Sequence, residues 1–568
     1  MAETSYGHWD ELIPSSPGLK TMHGLYLFLG VSICFLSLFS LVIKNRLFLS
    51  NALIASILGV IFGPRLLGIF DPYQAFDQNI YWVLLELSRI ILCIQCTAAG
   101  VSLPGSYVMR EWRSLAVLLG VGMIGMWVIS AAGLWLILGL DGWTAFIIAA
   151  CITPTDPILA GSILEGRFAE QHIPVYVRDI LTAESAANDG LGLPFLMLVI
   201  YLQRFDNKGE AIGLWLGKVV LYQIMLSIVV GMLFGIASRK ALKHAEHKGW
   251  IDKAPLLSYS IALAISVTGV MSLMGADDIL ASFVAGTMFT WDMWFNKQIQ
   301  HSHLQEIIDM LLDLAYFILF GAMFPWSSFG TVPSLSAWRI ILACLFILLF
   351  RRLPVIMLLR RWVPALKTRK EAFFCGWFGP MGASALFYAM LCITYLELPA
   401  DPIFPIVAAC VLSSIIVHGG TVSLFHFGIT RTQTYRSWRD TGHGGWMAFT
   451  RSMRGVRTLV MQERQGDDHD GAVNGWNGDM EEIAVDINEE GAAKKSVVVT
   501  DRAGSPEDTH HCPEGDFPLH RVAGVLEAAL SDRLHEATVE VVDQYRNEET
   551  GDRVAVLEAR LPELAHSE

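Results

Sequence analysis

The sequence predicts an all-α membrane protein of about thirteen spanning helices, two of them broken, crossed and related as inverted repeats, followed by a largely disordered tail. Three observations predict the helical membrane body and the polar tail. Hydrophobic residues make up 53% of the 568, and the mean hydropathy is +0.46, above the ~45–50% apolar content of an average soluble domain. The apolar residues gather into successive stretches between 24 and 428. The charge lies elsewhere: 429–568 holds 15 Lys and Arg against 27 Asp and Glu, −12 of a total of −13. An acidic tail on a nearly neutral apolar body excludes nucleic-acid binding, which needs a basic patch.

A spanning helix needs roughly 20 apolar residues. Thirteen segments reach or approach that length: 24–43, 51–70, 81–103, 115–139, 143–164, 178–203, 212–237, 256–274, 278–292, 304–325, 337–360, 372–397 and 403–427. The ninth is short, and Pro and Gly interrupt the fifth and twelfth. Residues 1–23 are polar, with Glu3, Asp10 and Glu11, and read as an extracellular N-terminus rather than a secretory signal. With that end outside, fifteen Lys and Arg fall on inner loops, among them Arg110, Arg113, Arg239, Lys240 and Lys243, and three fall outside, Lys20, Arg204 and Lys208. The positive-inside rule then places the tail in the cytoplasm. Cys93 and Cys96 form a C-x-x-C, but their helical, apolar setting makes them packing residues rather than a redox or metal pair.

The tail has three parts. Residues 429–464 interleave Arg431, Arg436, Arg439, Arg451, Arg454, Arg457 and Arg464 with Trp438, Trp446 and Phe449. That pattern fits either an amphipathic segment on an anionic leaflet of the bilayer or a basic linker. Residues 465–518, rich in Asp, Glu, Gly and Ser, read as a disordered acidic linker. Apolar periodicity returns in 519–568, as in Val522-Ala523-Gly524-Val525-Leu526, and marks a small helical or mixed cytoplasmic element. The tail holds no catalytic motif and is left as a platform for cytoplasmic regulators.

Ionisable side chains at membrane depth are costly and mark ion paths or proton relays. Glu184-Ser185-Ala186-Ala187-Asn188-Asp189 lies in the sixth span. Ser185 and Asp189 are four apart and share a face, and Glu184 and Asn188 share the adjacent one. Burial favours a neutral carboxyl and a bound cation favours the charged form, so Asp189 is where a proton and a metal ion compete. Thr153-Pro154-Thr155-Asp156-Pro157 lies in the fifth span. Its prolines stop the helix and leave carbonyls near Thr153 and Thr155 free for a hard cation, as in the broken helices of secondary transporters. Asp156 either neutralises a half-helix N-terminus or joins the coordination shell. The plainer alternatives are a packing Asp189 held by Ser hydroxyls and a simple proline kink. In the twelfth span, Gly376-Trp377-Phe378-Gly379-Pro380-Met381-Gly382 supplies the matching interruption.

Arg351 and Arg352 lie about two-thirds along the eleventh span. Either one of them pairs with Glu184, whose carboxylate is costly to bury alone, or both reach the cytoplasmic interface, which suits Arg352 in particular. Asp277 and Asp278, between the eighth and ninth spans, either attract cations to an outer mouth or occupy a solvated turn. His418 in the last span is either a structural histidine or an accessory ligand.

These strings resemble the monovalent cation/proton antiporter family, the sodium/hydrogen exchangers, over about residues 24–428. Thr155-Asp156-Pro157 is similar to the family's fifth-helix T/V-D-P, Glu184-Ser185 through Asn188-Asp189 to its E-S-x-x-N-D, and Val417-His418-Gly419 to a late V-H-G. Gly275-Ala276-Asp277-Asp278-Ile279-Leu280 followed by Phe283-Val284-Ala285-Gly286 resembles the fungal plasma-membrane branch. The resemblance implies alternating access, with a mobile core sliding against a dimerisation domain in a homodimer. It implies Asp189 as the carrier of transported Na⁺, with Asn188, Asp156, Thr155 and Ser185 around it. The family's Arg-x-Leu-x-Val falls on Arg351-Arg352-Leu353-Pro354-Val355 and selects Arg351 as the partner of Glu184. Animal exchangers carry G-x-R-G in the twelfth helix. Here the Arg position is Phe378, so the dipole compensation that Arg gives is missing or comes from elsewhere.

The expected activity is exchange of cytosolic Na⁺, with Li⁺ or K⁺ as further substrates, for external H⁺ at the plasma membrane, serving salt tolerance and pH homeostasis. Asn188 in place of a second Asp implies one exchanged charge. No enzyme activity is expected, and no cofactor beyond the transported ions. The alternatives are a K⁺/H⁺ antiporter of an internal membrane and a non-transporting membrane sensor with a signalling tail.

Overall fold

The computed structural model describes residues 17–42, 50–76, 79–156, 173–299, 304–331, 335–439, 495–501, 538–546 and 553–560. They belong to two compact units, Met1–Ile429 and Thr430–Glu568. In the first unit every expected span holds a helix: α1 (Pro17–Val42), α2 (Asn51–Phe62), α3 (Ile80–Ser102), α4 (Trp112–Leu138), α5 (Gly142–Ile152), α6 (Val175–Arg204), α7 (Lys208–His247), α8 (Lys253–Met274), α9 (Asp278–Phe289), α10 (Leu304–Met323), α11 (Ala337–Phe350), α12 (Arg369–Trp377), α13 (Ala383–Thr394) and α14 (Ala400–Arg439). Helices α12 and α13 are the two halves of the twelfth span. Among the described residues seven helices are long and apolar enough to cross a membrane, and the other apolar ones are shorter. Helix α5 rises only about 16 Å, roughly half of the hydrocarbon thickness.

Local chemistry sets the helix limits. Ser50, Asp141 and Asp277 each accept a hydrogen bond from the amide three residues on, Leu53, Thr144 and Leu280, and so satisfy donors that a helix start leaves open. Helix α1 begins at Pro17, ahead of the expected 24, because proline suits a first helical position. Lipid gives helices little hydrophobic reason to associate, so close backbone packing does the work. A Cβ on Gly59 of α2 would lie 2.2 Å from the Ile318 carbonyl oxygen of α10.

In the second unit three antiparallel strands, β1 (Lys495–Asp501), β2 (Thr538–Arg546) and β3 (Arg553–Arg560), pair in the order β1-β3-β2. Strand β1 lies within 465–518, where the β-branched run Val497-Val498-Val499 favours an extended pair. Residues 1–16, 440–494 and 502–537 lie outside the described residues, and with them the N-terminal end and most of the basic and acidic segments. Helix α14 carries the backbone into the basic segment as far as Arg439.

Candidate functional site

Helix α5 stops at Thr153, because Pro154 offers no backbone donor. Pro157 and the remainder of the fifth span lie outside the described residues. Helix α12 stops at Phe378, and α13 starts after Gly382. The two breaks cross and touch. The Asp156 amide donates to the Pro380 carbonyl (2.9 Å), and Asp156 Oδ2 accepts from the Ala383 amide (2.9 Å). Asp156 therefore neutralises the N-terminus of α13, the half-helix of the other broken span.

Helix α6 grips the crossing from the side. Asn188 Oδ1 accepts from the Thr155 amide (2.9 Å), and its Nδ2 donates to Thr155 Oγ1 (2.8 Å). Ser185 Oγ lies 3.0 Å from the same hydroxyl. Ser185 thus works with Asn188, three residues along the helix, and not with Asp189 as the four-residue spacing predicts. Thr153 turns its own hydroxyl back to the Ala149 carbonyl (2.7 Å).

Two adjacent arginines hold the broken ends. Arg352 donates to both oxygens of Glu184 at 2.7 Å, and its Nε donates to the Cys375 carbonyl (2.8 Å). This corrects two expectations: Arg351 is not the partner of Glu184, and Arg352, 3% exposed, does not reach the interface. The physical reason is that α11 ends at Phe350 and a short helix, Leu353–Leu359, begins immediately after. Consecutive side chains at that break point to different partners. Gly379 leaves the passage for Arg352, since a Cβ there would meet its Cδ at 2.1 Å.

Arg351 donates to the carbonyls of Ile152, Thr153 and Pro154 and, through its other nitrogen, to that of Gly379. Ile152 and Thr153 close α5, and Pro154 and Gly379 follow directly on the caps of α5 and α12. One guanidinium therefore offsets the negative ends of both half-helices, which Phe378 cannot do. The Thr153 carbonyl is accordingly occupied rather than free for a cation.

Asp189 is fully buried, yet its Oδ1 has no hydrogen-bond partner and its Oδ2 has only Cys96 Sγ at 3.9 Å. Ser384 Oγ of α13 stands beside the carboxyl. Asp156 acts on Asp189 electrostatically from the crossing. Below it, Pro194 withholds the donor that would bond the Gly190 carbonyl. Tyr388 Oη supplies it instead (3.0 Å) and also donates to the Asp189 carbonyl. A buried carboxylate with open valence beside a hydroxyl and a thiol is suited to hold a proton or a dehydrated cation.

The remaining expected residues are Asp277, Asp278 and His418. Asp277 and Asp278 are buried and do not form a solvated turn. Asp277 caps α9, and Asp278 pairs with Arg89 (2.8 Å) and Ser272 (3.1 Å). His418 is buried against the rings of Trp377 and Phe378, and its Nδ1 is unpartnered. A cavity of about 500 Å³, lined by Asp71, Tyr73, Tyr81, Trp326 and Asp401 among others, includes none of the crossing residues. Sequence reasoning missed Arg89, Ser384, Tyr388 and Asp313. Of these, Asp313 in Leu311-Leu312-Asp313-Leu314 was open to the argument that singled out Asp189.

The family model described as sodium/hydrogen exchanger, transmembrane, matches residues 31–428. A Na(+)/H(+) antiporter of Saccharomyces cerevisiae is 33% identical over 92% of this chain and 56% of its own length. A probable Na(+)/H(+) antiporter of Schizosaccharomyces pombe is 37% identical over 74% of this chain and 57% of its own. The chain thus spans about half the length of these relatives. The sodium proton antiporter MjNhaP1 from Methanocaldococcus jannaschii shares the fold, with a TM-score of 0.55 at 18% identity over 72% of this chain and 98% of that one. With a family model matched over most of its length and its broken helices crossed at a buried Asp, the chain belongs to the transmembrane sodium/hydrogen exchanger family.

Proposed function

We propose that this protein exchanges cytosolic Na⁺ for external H⁺ by alternating access, Asp189 holding one or the other. The observation that carries this reading is the buried Asp189 carboxyl with its unpartnered Oδ1, next to the Ser384 hydroxyl. Asn188, Thr155 and Ser185 bond one another, and Asp156 caps α13. In this scheme they shape the pocket's wall, and Asp189 carries the ion. The antiporter relatives support the exchange. Li⁺ and K⁺ belong to the proposal as further substrates, and so do the homodimer and the plasma-membrane location. The fifteen-to-three bias of Lys and Arg supports a cytoplasmic tail. With one charge exchanged, each pH unit drives the cycle with ~1.4 kcal/mol.

The test is Asp189→Asn in sealed vesicles. Loss of Na⁺-dependent dissipation of an imposed pH gradient is the expected outcome. Retained dissipation would sink the assignment.

A further inference from the structure

One buried carboxyl has no place in the scheme above. Asp313 of α10 is 7% exposed, inside a helix long and apolar enough to cross the membrane. Among the described residues no Lys or Arg lies within ion-pair distance of it. Gln95 Nε2 of α3 donates to it (2.9 Å). Gln95 is itself 3% exposed, and its Oε1 has no partner. A buried amide oxygen left open beside a buried carboxylate marks the place of an ion or a water, and a lone buried charge is costly without a counter-charge.

The surroundings point the same way. Among the described residues, Asp156 and Asp309 are charged groups that act on Asp313, and both are acidic. Helix α2, packed against α10, carries no ionisable side chain. Glu86 and Arg89 of α3 are engaged with each other and with Asp278. Asp309 lies one turn from Asp313 on the same face of α10. The residue after Gln95 is Cys96, which touches Asp189. Carboxylate and amide oxygens are the ligands that a hard cation takes.

We infer that Asp313 and Gln95 form a staging site for the transported alkali cation, occupied before it reaches Asp189. The inference rests on the function proposed above. Staging governs capture of the cation and leaves turnover of the loaded carrier alone, so it predicts a change in KM rather than in kcat.

The full chain reconstituted in vesicles, with Na⁺ as the probe, tests this. Asp313→Asn is expected to raise KM for Na⁺ about tenfold with kcat within about twofold, and Asp313→Glu to recover most of the loss. Gln95→Leu keeps the carboxyl and is expected to raise KM about threefold. It decides the matter if Asp313→Asn does not fold. An unchanged KM in the variants that fold overturns the staging site, as does a fall in kcat at constant KM without rescue by Glu. Asp189→Asn assayed alongside separates the two readings. If it abolishes exchange while the Asp313 and Gln95 variants keep KM, only the staging site falls. If it retains exchange, the reading beneath falls as well.

Discussion

Glu184 and Asp189 are carboxylates five residues apart on helix α6, both fully buried, and they have opposite surroundings. Glu184 has both oxygens bonded by one guanidinium, which is itself tied to a backbone carbonyl. Asp189 has one oxygen with no partner and the other beside a thiol. Burial alone therefore does not identify a site. A buried carboxylate whose valence is closed by a fixed cation joins the framework, and one left open is available to a mobile cation or proton.

The largest effect should come from opening the closed pair. Arg352→Met strands Glu184 in the core and is expected to cost about 3–5 kcal/mol, seen as loss of folded, monodisperse protein in detergent. The double variant Glu184→Leu/Arg352→Met should recover much of it. Asp189→Asn should leave the thermal midpoint near that of the parent. Equal destabilisation by Arg352→Met and Asp189→Asn would erase the contrast between the two faces.

A smaller effect sharpens the comparison. Gly379→Ala forces a Cβ to within 2.1 Å of Arg352 Cδ. It is expected to cost about 1–3 kcal/mol by overpacking, measured by thermal unfolding, with the loss suppressed when Arg352 is already Met. A loss of the same size in both backgrounds would show that the passage is not what Gly379 provides.

The smallest concerns a third carboxylate, Glu371, at the aqueous start of α12. Its desolvation raises its pKa, but the Tyr176 hydroxyl (2.8 Å) and the Thr368 and Lys367 amides outweigh that and hold it below the usual value. A lowered folded pKa stabilises above the unfolded value and is lost as pH falls through the folded one. Glu371→Gln should therefore melt below the parent at neutral pH, with the gap closing below about pH 4. A gap that persists in acid would assign the loss to the capping geometry instead of the charge.

The chain's own pattern carries a good deal of this. Length and apolar content locate the spans, because crossing a bilayer is a demand on each segment separately. Pro154 and the Gly-Pro-x-Gly string Gly379–Gly382 mark the breaks, because a missing donor acts where it stands. The cost of ionisable groups at membrane depth singles out Asp156, Glu184 and Asp189, and it applies equally to Asp313.

Only the tertiary structure decided the partners. Glu184 and Arg352 are 168 positions apart, and Asp156 and Ala383 are 227 apart, separations across which no periodicity informs. Which of two neighbouring arginines meets Glu184 depends on the break between α11 and the short helix after it, where both of them lie, and a one-residue difference there exchanges an ion pair for a cap on two carbonyl ends. Asp277 and Asp278 read as a polar turn until α3 brings Arg89 against them. Segment identity is a local property of side chains and backbone donors, whereas a closed or open valence depends on what the rest of the fold brings within about 3 Å.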